Sequence, residues 1–218
     1  MKNRFDVIVF DWDGTLVNSI DWIARCLQQA AEQCHYPVPE RQAAKDVIGL
    51  SIDKAIQTLF PEAQPALQAK LINCYQTAYK TQEMGREHFF DGVYDMLISL
   101  KASGYRLAVA TGKTRAGLNR ALQATDTQDL FDITRCADET ASKPAPKMLL
   151  EILSFCNSLS ERALMVGDTI FDLEMAFNAD MASIAVACGA HPETLLREYQ
   201  PLMCLKQPVE LLNLLHRG

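Results

Sequence analysis

A chain of 218 residues has room for one full core plus a small insert, but not for two large domains. With 49% apolar and 22% charged residues its composition is that of an ordinary globular protein, which excludes a disordered chain. The net charge of -6 lacks the basic face that a nucleic-acid backbone demands, so nucleic acid is excluded as a partner. Seven cysteines (Cys26, Cys34, Cys74, Cys136, Cys156, Cys188 and Cys204) form no C-x-x-C pair and are odd in number. They read as buried free thiols in a reducing compartment. The opening Met1-Lys2-Asn3-Arg4 leads directly into a short strand, and Asp6, Asp11 and Asp13 would interrupt any apolar signal or membrane span. The expectation is a cytoplasmic protein with no membrane partner.

In chain order, Val7-Ile8-Val9-Phe10 is a short, fully apolar run bounded by acids, the pattern of a strand buried on both faces of a parallel sheet. From 18 to 83 only helical patterns follow: 20–34, 41–47 stopped at Gly49, 52–60 stopped at Pro61, and 65–82. Gly85 then offers a hinge for the return. Beyond it, apolar runs at 107–110, 164–166 and 184–186 alternate with helical patterns at 93–103, 115–124, 146–157 and 171–179. Strand–helix alternation of this kind predicts an α/β, doubly wound (Rossmann-like) parallel sheet. The expected organisation is a catalytic core over 1–17 and 84–218, with an all-helical insert over 18–83.

Ligands of open α/β sheets sit beyond the carboxyl ends of the strands, so the residues after each run carry the chemistry. After the first come Asp11-Trp12-Asp13-Gly14-Thr15-Leu16. In an extended segment Asp11 and Asp13 face one side, and two acids placed together need a cation or a shared proton. A magnesium ion, which takes oxygen ligands, satisfies both. After the second run, Thr111-Gly112-Lys113 sets a hydroxyl beside a bare backbone N–H, the makings of a small phosphate cradle or of a helix N-cap. Gly112-Lys113-Thr114 is not a nucleotide P-loop, because Leu107 stands where that motif needs glycine. In Ser142-Lys143-Pro144-Ala145-Pro146, two prolines fix the backbone around Lys143, whose ammonium suits a phosphate. After the third run, Gly167-Asp168-Thr169-Ile170-Phe171-Asp172 places Asp168 and Asp172 one turn apart if a helix starts there, giving a cation a further carboxylate.

Asp11-Trp12-Asp13-Gly14-Thr15, Thr111, Lys143-Pro144 and Gly167-Asp168 with Asp172 resemble the four motifs of the haloacid dehalogenase superfamily, over nearly the whole chain. Asp91-Gly92-Val93, Gly104-Tyr105-Arg106 and Thr111-Gly112-Lys113 are similar to its phosphoglycolate phosphatase-like branch, and the helical insert resembles that superfamily's small cap domain. The resemblance implies a magnesium-dependent phosphatase of small phosphorylated metabolites, with phosphoglycolate the leading candidate, working through an aspartyl-phosphate. It implies Asp11 as nucleophile and Asp13 as acid and base. Magnesium would be held by the Asp11 side chain, the Asp13 backbone carbonyl and Asp168. Thr111 and the Gly112 backbone would hold phosphoryl oxygens, Lys143 would neutralise them, and Asp172 would orient Lys143 or a metal-bound water.

Three residues depart from the family pattern: Asn18 where an acid is usual, Asp180 where a glycine usually ends the helix, and the bulky Trp12 between the two acids. Gly49 and Lys54 are the insert's candidates for reaching the site. Two alternatives are a sugar phosphomutase using the same intermediate and a catalytically idle binding module. His35, His88, His191 and His216 show no metal-ligand spacing and receive no role.

Overall fold

The computed structural model describes residues 4–216; Met1, Lys2 and Asn3 of the opening segment, with residues 217 and 218, lie outside it. Strand β1 (Val7–Phe10) is central in a six-stranded, all-parallel sheet. Its neighbours are β2 (Arg106–Thr111) and β4 (Ala163–Gly167), flanked by β3 (Ile133–Cys136), β5 (Ala182–Val186) and β6 (Cys204–Leu205) in the order β3-β2-β1-β4-β5-β6. The order reverses between β1 and β4, and that switch point is where an open sheet leaves a crevice for a ligand.

Alternation along the strands builds a core on each face. Ile8, Phe10, Leu107, Val109, Leu164 and Val166 share one cluster, while Val7, Val9, Ala108, Ala110, Ala163 and Met165 share the other. Helices α5 (Val93–Ala102) and α6 (Arg115–Thr125) bury their apolar stripes in the first. Helices α7 (Lys147–Cys156) and α8 (Ile170–Asn178) pack into the second. The chain closes with α9 (Glu193–Glu198) and α10 (Leu211–His216).

Between β1 and α5 the described residues form helices α1 (Ile20–Gln33), α2 (Arg41–Asp46), α3 (Ile52–Leu59) and α4 (Pro65–Tyr79). Ile20, Ile23, Ala24, Leu27, Ala30 and Ala31 recur at three- and four-residue spacing, making one buried stripe on α1. That stripe packs with Ala44, Val47, Ile56 and Leu71 in a cluster apart from both sheet cores. No helix among the described residues is long and apolar enough to cross a membrane.

The predicted helix over 65–82 ends at Tyr79, because the Thr81 hydroxyl donates to the Ala78 carbonyl at 2.7 Å and closes the last turn. Trp12, which the sequence leaves unexplained, is 1% exposed and meets Phe89 and Phe131 with ring centroids 5.9 and 6.2 Å away. Its indole is core packing beneath the site. Asp180 takes φ +52°, the left-handed conformation in which a glycine would be less strained.

Candidate active site

Asp11 is the first residue beyond β1. Its N–H donates to the Val166 carbonyl at 2.9 Å, so sheet pairing holds its backbone, and the residue is 1% exposed. The chain then turns sharply: Leu16 N–H donates to the Trp12 carbonyl, and Gly14 takes φ +80°. A Cβ on Gly14 would lie 2.2 Å from Asp168 Oδ2, so the turn needs glycine for both conformation and space. Asp11 and Asp13 both line the cavity described below. The Asp13 carboxylate accepts from Ser19 Oγ at 2.7 Å and from Lys113 Nζ at 2.9 and 2.8 Å.

The acids that group with Asp11 are Asp168, in the β4–α8 loop, and Asp172, in the first turn of α8. Asp168 precedes the helix rather than lying in its first turn, and Thr169 is the N-cap of α8. The Thr169 backbone N–H and hydroxyl both donate to Asp172 Oδ2, at 3.1 and 2.7 Å, a reciprocal box that fixes Asp172. Asp168 Oδ1 accepts from the Thr15 hydroxyl at 2.7 Å, and its Oδ2 accepts from the Ala190 N–H at 2.8 Å.

Lys143, in the loop beyond β3, is 2% exposed, with Nζ 2.8 Å from Asp11 Oδ1 and 2.6 Å from Asp172 Oδ1. Both contacts are close-range ion pairs without the alignment of hydrogen bonds, and Asp11 Oδ2 has no hydrogen-bonding partner. Burial alone would push the Lys143 ammonium down, but Asp11 and Asp172 reverse this and hold it above its usual value. Burial drives the Asp11 carboxyl well above the carboxylate range despite the opposing pull of Lys143, and the charges of Asp172 and Asp168 add to the rise. Asp168 is pushed up to about 7, first by burial and then by Asp172, with partial relief from its hydrogen bonds.

One ammonium therefore faces three buried carboxylates. Oxygens of Asp11, Asp168 and Asp172 lie within 4.8 Å of one another. That oxygen donor set fits a hard divalent cation. The Asp13 side chain is outside this set, in contrast to the paired-acid expectation.

Thr111 ends β2 at 1% exposure, and its Oγ accepts from the Lys113 N–H at 3.2 Å. Gly112 sits against the loop between α2 and α3: a Cβ there would meet the Leu50 and Gly49 carbonyls at 2.4 and 2.6 Å. Further contacts seat the same loop, since Ser51 N–H donates to Ser142 Oγ at 2.9 Å. His191 Nδ1 accepts from Ile170 N–H at 3.0 Å, so its Nε2 carries the proton directed at the Asp46 carbonyl 3.3 Å away. The sequence offers no signal for this role of His191, which depends on a fold contact across 145 residues.

A cavity of roughly 370 Å³ separates the sheet from the helical segment. Asp11, Asp13, Thr111 and Gly112 line it from below, and residues of α1, α3, α4 and the 47–50 loop line it from above. Lys143, Asp168 and Asp172 stand behind Asp11 and do not line the cavity. Gly49 lines it, whereas Lys54 is exposed and does not, because α3 turns Ile52 and Ala55 toward it instead. Among the lining residues that sequence reasoning left without a role are Lys113 and Tyr79: Lys113 Nζ donates to Tyr79 Oη at 2.9 Å as well as to Asp13. Burial would lower the Lys113 ammonium, yet Asp13, with Tyr79 and Tyr75, raises it above its ordinary value.

The family model described as haloacid dehalogenase-like hydrolase matches residues 8–186, and the chain belongs to that family. It is 33% identical to "Probable phosphatase IndB" of Dickeya dadantii over 96% of this chain and 93% of that protein. It is 27% identical to a phosphoglycolate phosphatase of Nitrosococcus oceani over the full length of both, which matches the branch that the motifs resemble. A solved haloacid dehalogenase-like hydrolase from Streptococcus pneumoniae superposes with a TM-score of 0.82 at 23% identity, covering 97% of this chain and 98% of that one, and shares the fold.

Proposed function

We propose that this protein is a magnesium-dependent phosphatase of small phosphorylated metabolites, working through a phosphoryl group carried transiently on Asp11. The observation that carries this reading is a buried carboxylate, Asp11, lining the cavity with an unpartnered Oδ2 while Lys143 holds its other oxygen. A nucleophile needs a free lone pair, and the unpartnered Oδ2 supplies one. The phosphatase name of the Dickeya relative and the phosphoglycolate phosphatase name of the Nitrosococcus relative support the same class of substrate.

In this reading Asp11 Oδ2 attacks phosphorus as the bond from phosphorus to the ester oxygen breaks, and Asp13 gives that departing oxygen a proton. Water then attacks the phosphoryl group, Asp13 takes the water's proton, and the bond to Asp11 breaks to release phosphate. Lys113, 2.8 Å from Asp13 Oδ2, holds the Asp13 side chain in place for both halves. Thr111 and the Gly112 N–H receive the phosphoryl oxygens, and Lys143 balances the charge of Asp11 and Asp172. The Asp11 and Asp168 carboxylates and the Asp13 backbone carbonyl would hold the magnesium ion, which supplies Lewis-acid stabilisation of charge on the transferred group. The segment 18–83 serves as a cap that covers the site and excludes water.

Asp11→Asn tests this directly. Release of phosphate from an aryl phosphate is expected to vanish while the circular dichroism spectrum and melting temperature stay near those of the wild type. A strong chelator is expected to silence the wild type, with added magnesium restoring it. Turnover surviving either treatment contradicts the reading.

A further inference from the structure

We infer that the ester this site accepts carries a bulky, predominantly apolar alcohol with no carboxylate beside the ester oxygen; the inference rests on the phosphatase reading above. Above the Asp11 floor the walls are mostly apolar, with Ile23, Leu27, Val47, Ile48, Ile52 and the ring of Tyr75, and Gln76 and Thr114 as uncharged polar members. A cavity of roughly 370 Å³ falls among sites that enclose whole organic ligands, about 300–1,000 Å³. A two-carbon acid such as glycolate would leave most of this wall facing water or a void. Its carboxylate would shed hydration against a mostly alkyl wall that offers it no unengaged cation in return.

The cations of the lining sharpen the case. Lys113 lies inside, but an ammonium has three N–H bonds, and those of Lys113 serve Asp13 Oδ1, Asp13 Oδ2 and Tyr79 Oη. It can therefore grip a substrate carboxylate only by releasing Asp13. The other lining cations, Lys80 and Arg120, are exposed. Both also border an adjoining cleft of roughly 740 Å³ formed by the end of α4, residues 82–84 and α6, which places them at the outer end of the cavity. The enclosed part is thus shaped for an uncharged body, with anionic groups accommodated only at its far end.

The decisive comparison uses alkyl esters, so that leaving-group reactivity stays similar. Values of kcat/KM are measured for 2-phenylethyl phosphate, ethyl phosphate and 2-phosphoglycolate on the wild type with magnesium, and on Gln76→Arg, which adds a cation to the lining wall. The wild type is expected to favour phenylethyl phosphate over ethyl phosphate by roughly 10- to 100-fold, the range given by burying an aromatic side chain. It is expected to rank phosphoglycolate lowest, and Gln76→Arg to narrow or reverse the gap between phosphoglycolate and phenylethyl phosphate. Phosphoglycolate leading in the wild type overturns the inference while leaving the phosphatase reading intact. No advantage of phenylethyl over ethyl phosphate overturns it too, even should Gln76→Arg fail to fold. Release of phosphate from none of the three removes the phosphatase reading, and this inference with it.

Discussion

Replacing Lys143 by methionine keeps most of the side-chain volume and deletes the ammonium between Asp11 and Asp172. The side chain has no exposed surface, and its two partners are 1% and 0% exposed, so no solvent can take over its charge. Breaking a buried ion pair from one side leaves an uncompensated charge at a cost of about 3–5 kcal/mol. For a domain of this size each kcal/mol lowers the melting temperature by about 2–4 °C, which gives a fall of about 6–20 °C near neutral pH without metal. The pH dependence has a definite sign. A carboxyl whose folded pKa is raised contributes stability that is full below its unfolded value and lost as pH rises through the folded one. Without Lys143 the buried acids depend more on protonation, so the deficit is expected to be larger near pH 8 than near pH 5. Calorimetry at the two pH values measures it. A variant melting within about 2 °C of the wild type near pH 8, or a deficit that grows on acidification, would refute the assigned charge balance.

Three further outcomes are expected. Asp168, pushed up to about 7 by burial and Asp172, retains a proton in the metal-free fold, so stability falls as pH rises from about 4 through 7. A metal must displace that proton, so the gain in melting temperature from magnesium should be larger near pH 8 than near pH 5.5; equal gains contradict Asp168 as a ligand. Gly112→Ala would put a Cβ 2.4 Å from the Leu50 carbonyl and lift the 47–51 loop. Hydrogen exchange in that loop should quicken and kcat/KM fall by about 10- to 100-fold with the core fold unchanged, whereas unaltered exchange and activity would deny that the loop is seated there. Lys113→Met releases the Asp13 carboxylate, so steady-state kinetics should show kcat down by about 10-fold or more with KM little changed, and an unchanged kcat removes Lys113 as the group that positions Asp13.

The doubly wound sheet was legible because its inner strands are short apolar runs whose alternation is erased by burial on both faces, as in Val7–Phe10. The edge strands were not. Ile133–Cys136 interleaves Thr134 and Arg135, and Cys204–Leu205 is two residues long, so neither leaves a pattern to read. Four loops at strand ends could be picked out as site elements because glycines, prolines and acids punctuate them. What the sequence withheld was direction. Adjacent acids suggested a shared cation for Asp11 and Asp13, but the Asp13 carboxylate pairs with Lys113, and the acids that group with Asp11 are Asp168 and Asp172. Contacts such as Lys113 with Tyr79 and His191 with the Asp46 carbonyl join distant segments and exist only once the chain has folded.

The most direct test of Asp11 as the phosphoryl carrier is borohydride trapping during turnover. An acyl phosphate is reduced to the alcohol, so the peptide containing Asp11 should show homoserine at that position by mass spectrometry. The reduction should require both substrate and magnesium and disappear when the reaction has run to completion. Steady turnover with Asp11 left unreduced, or with reduction at a different carboxylate, would contradict the assignment.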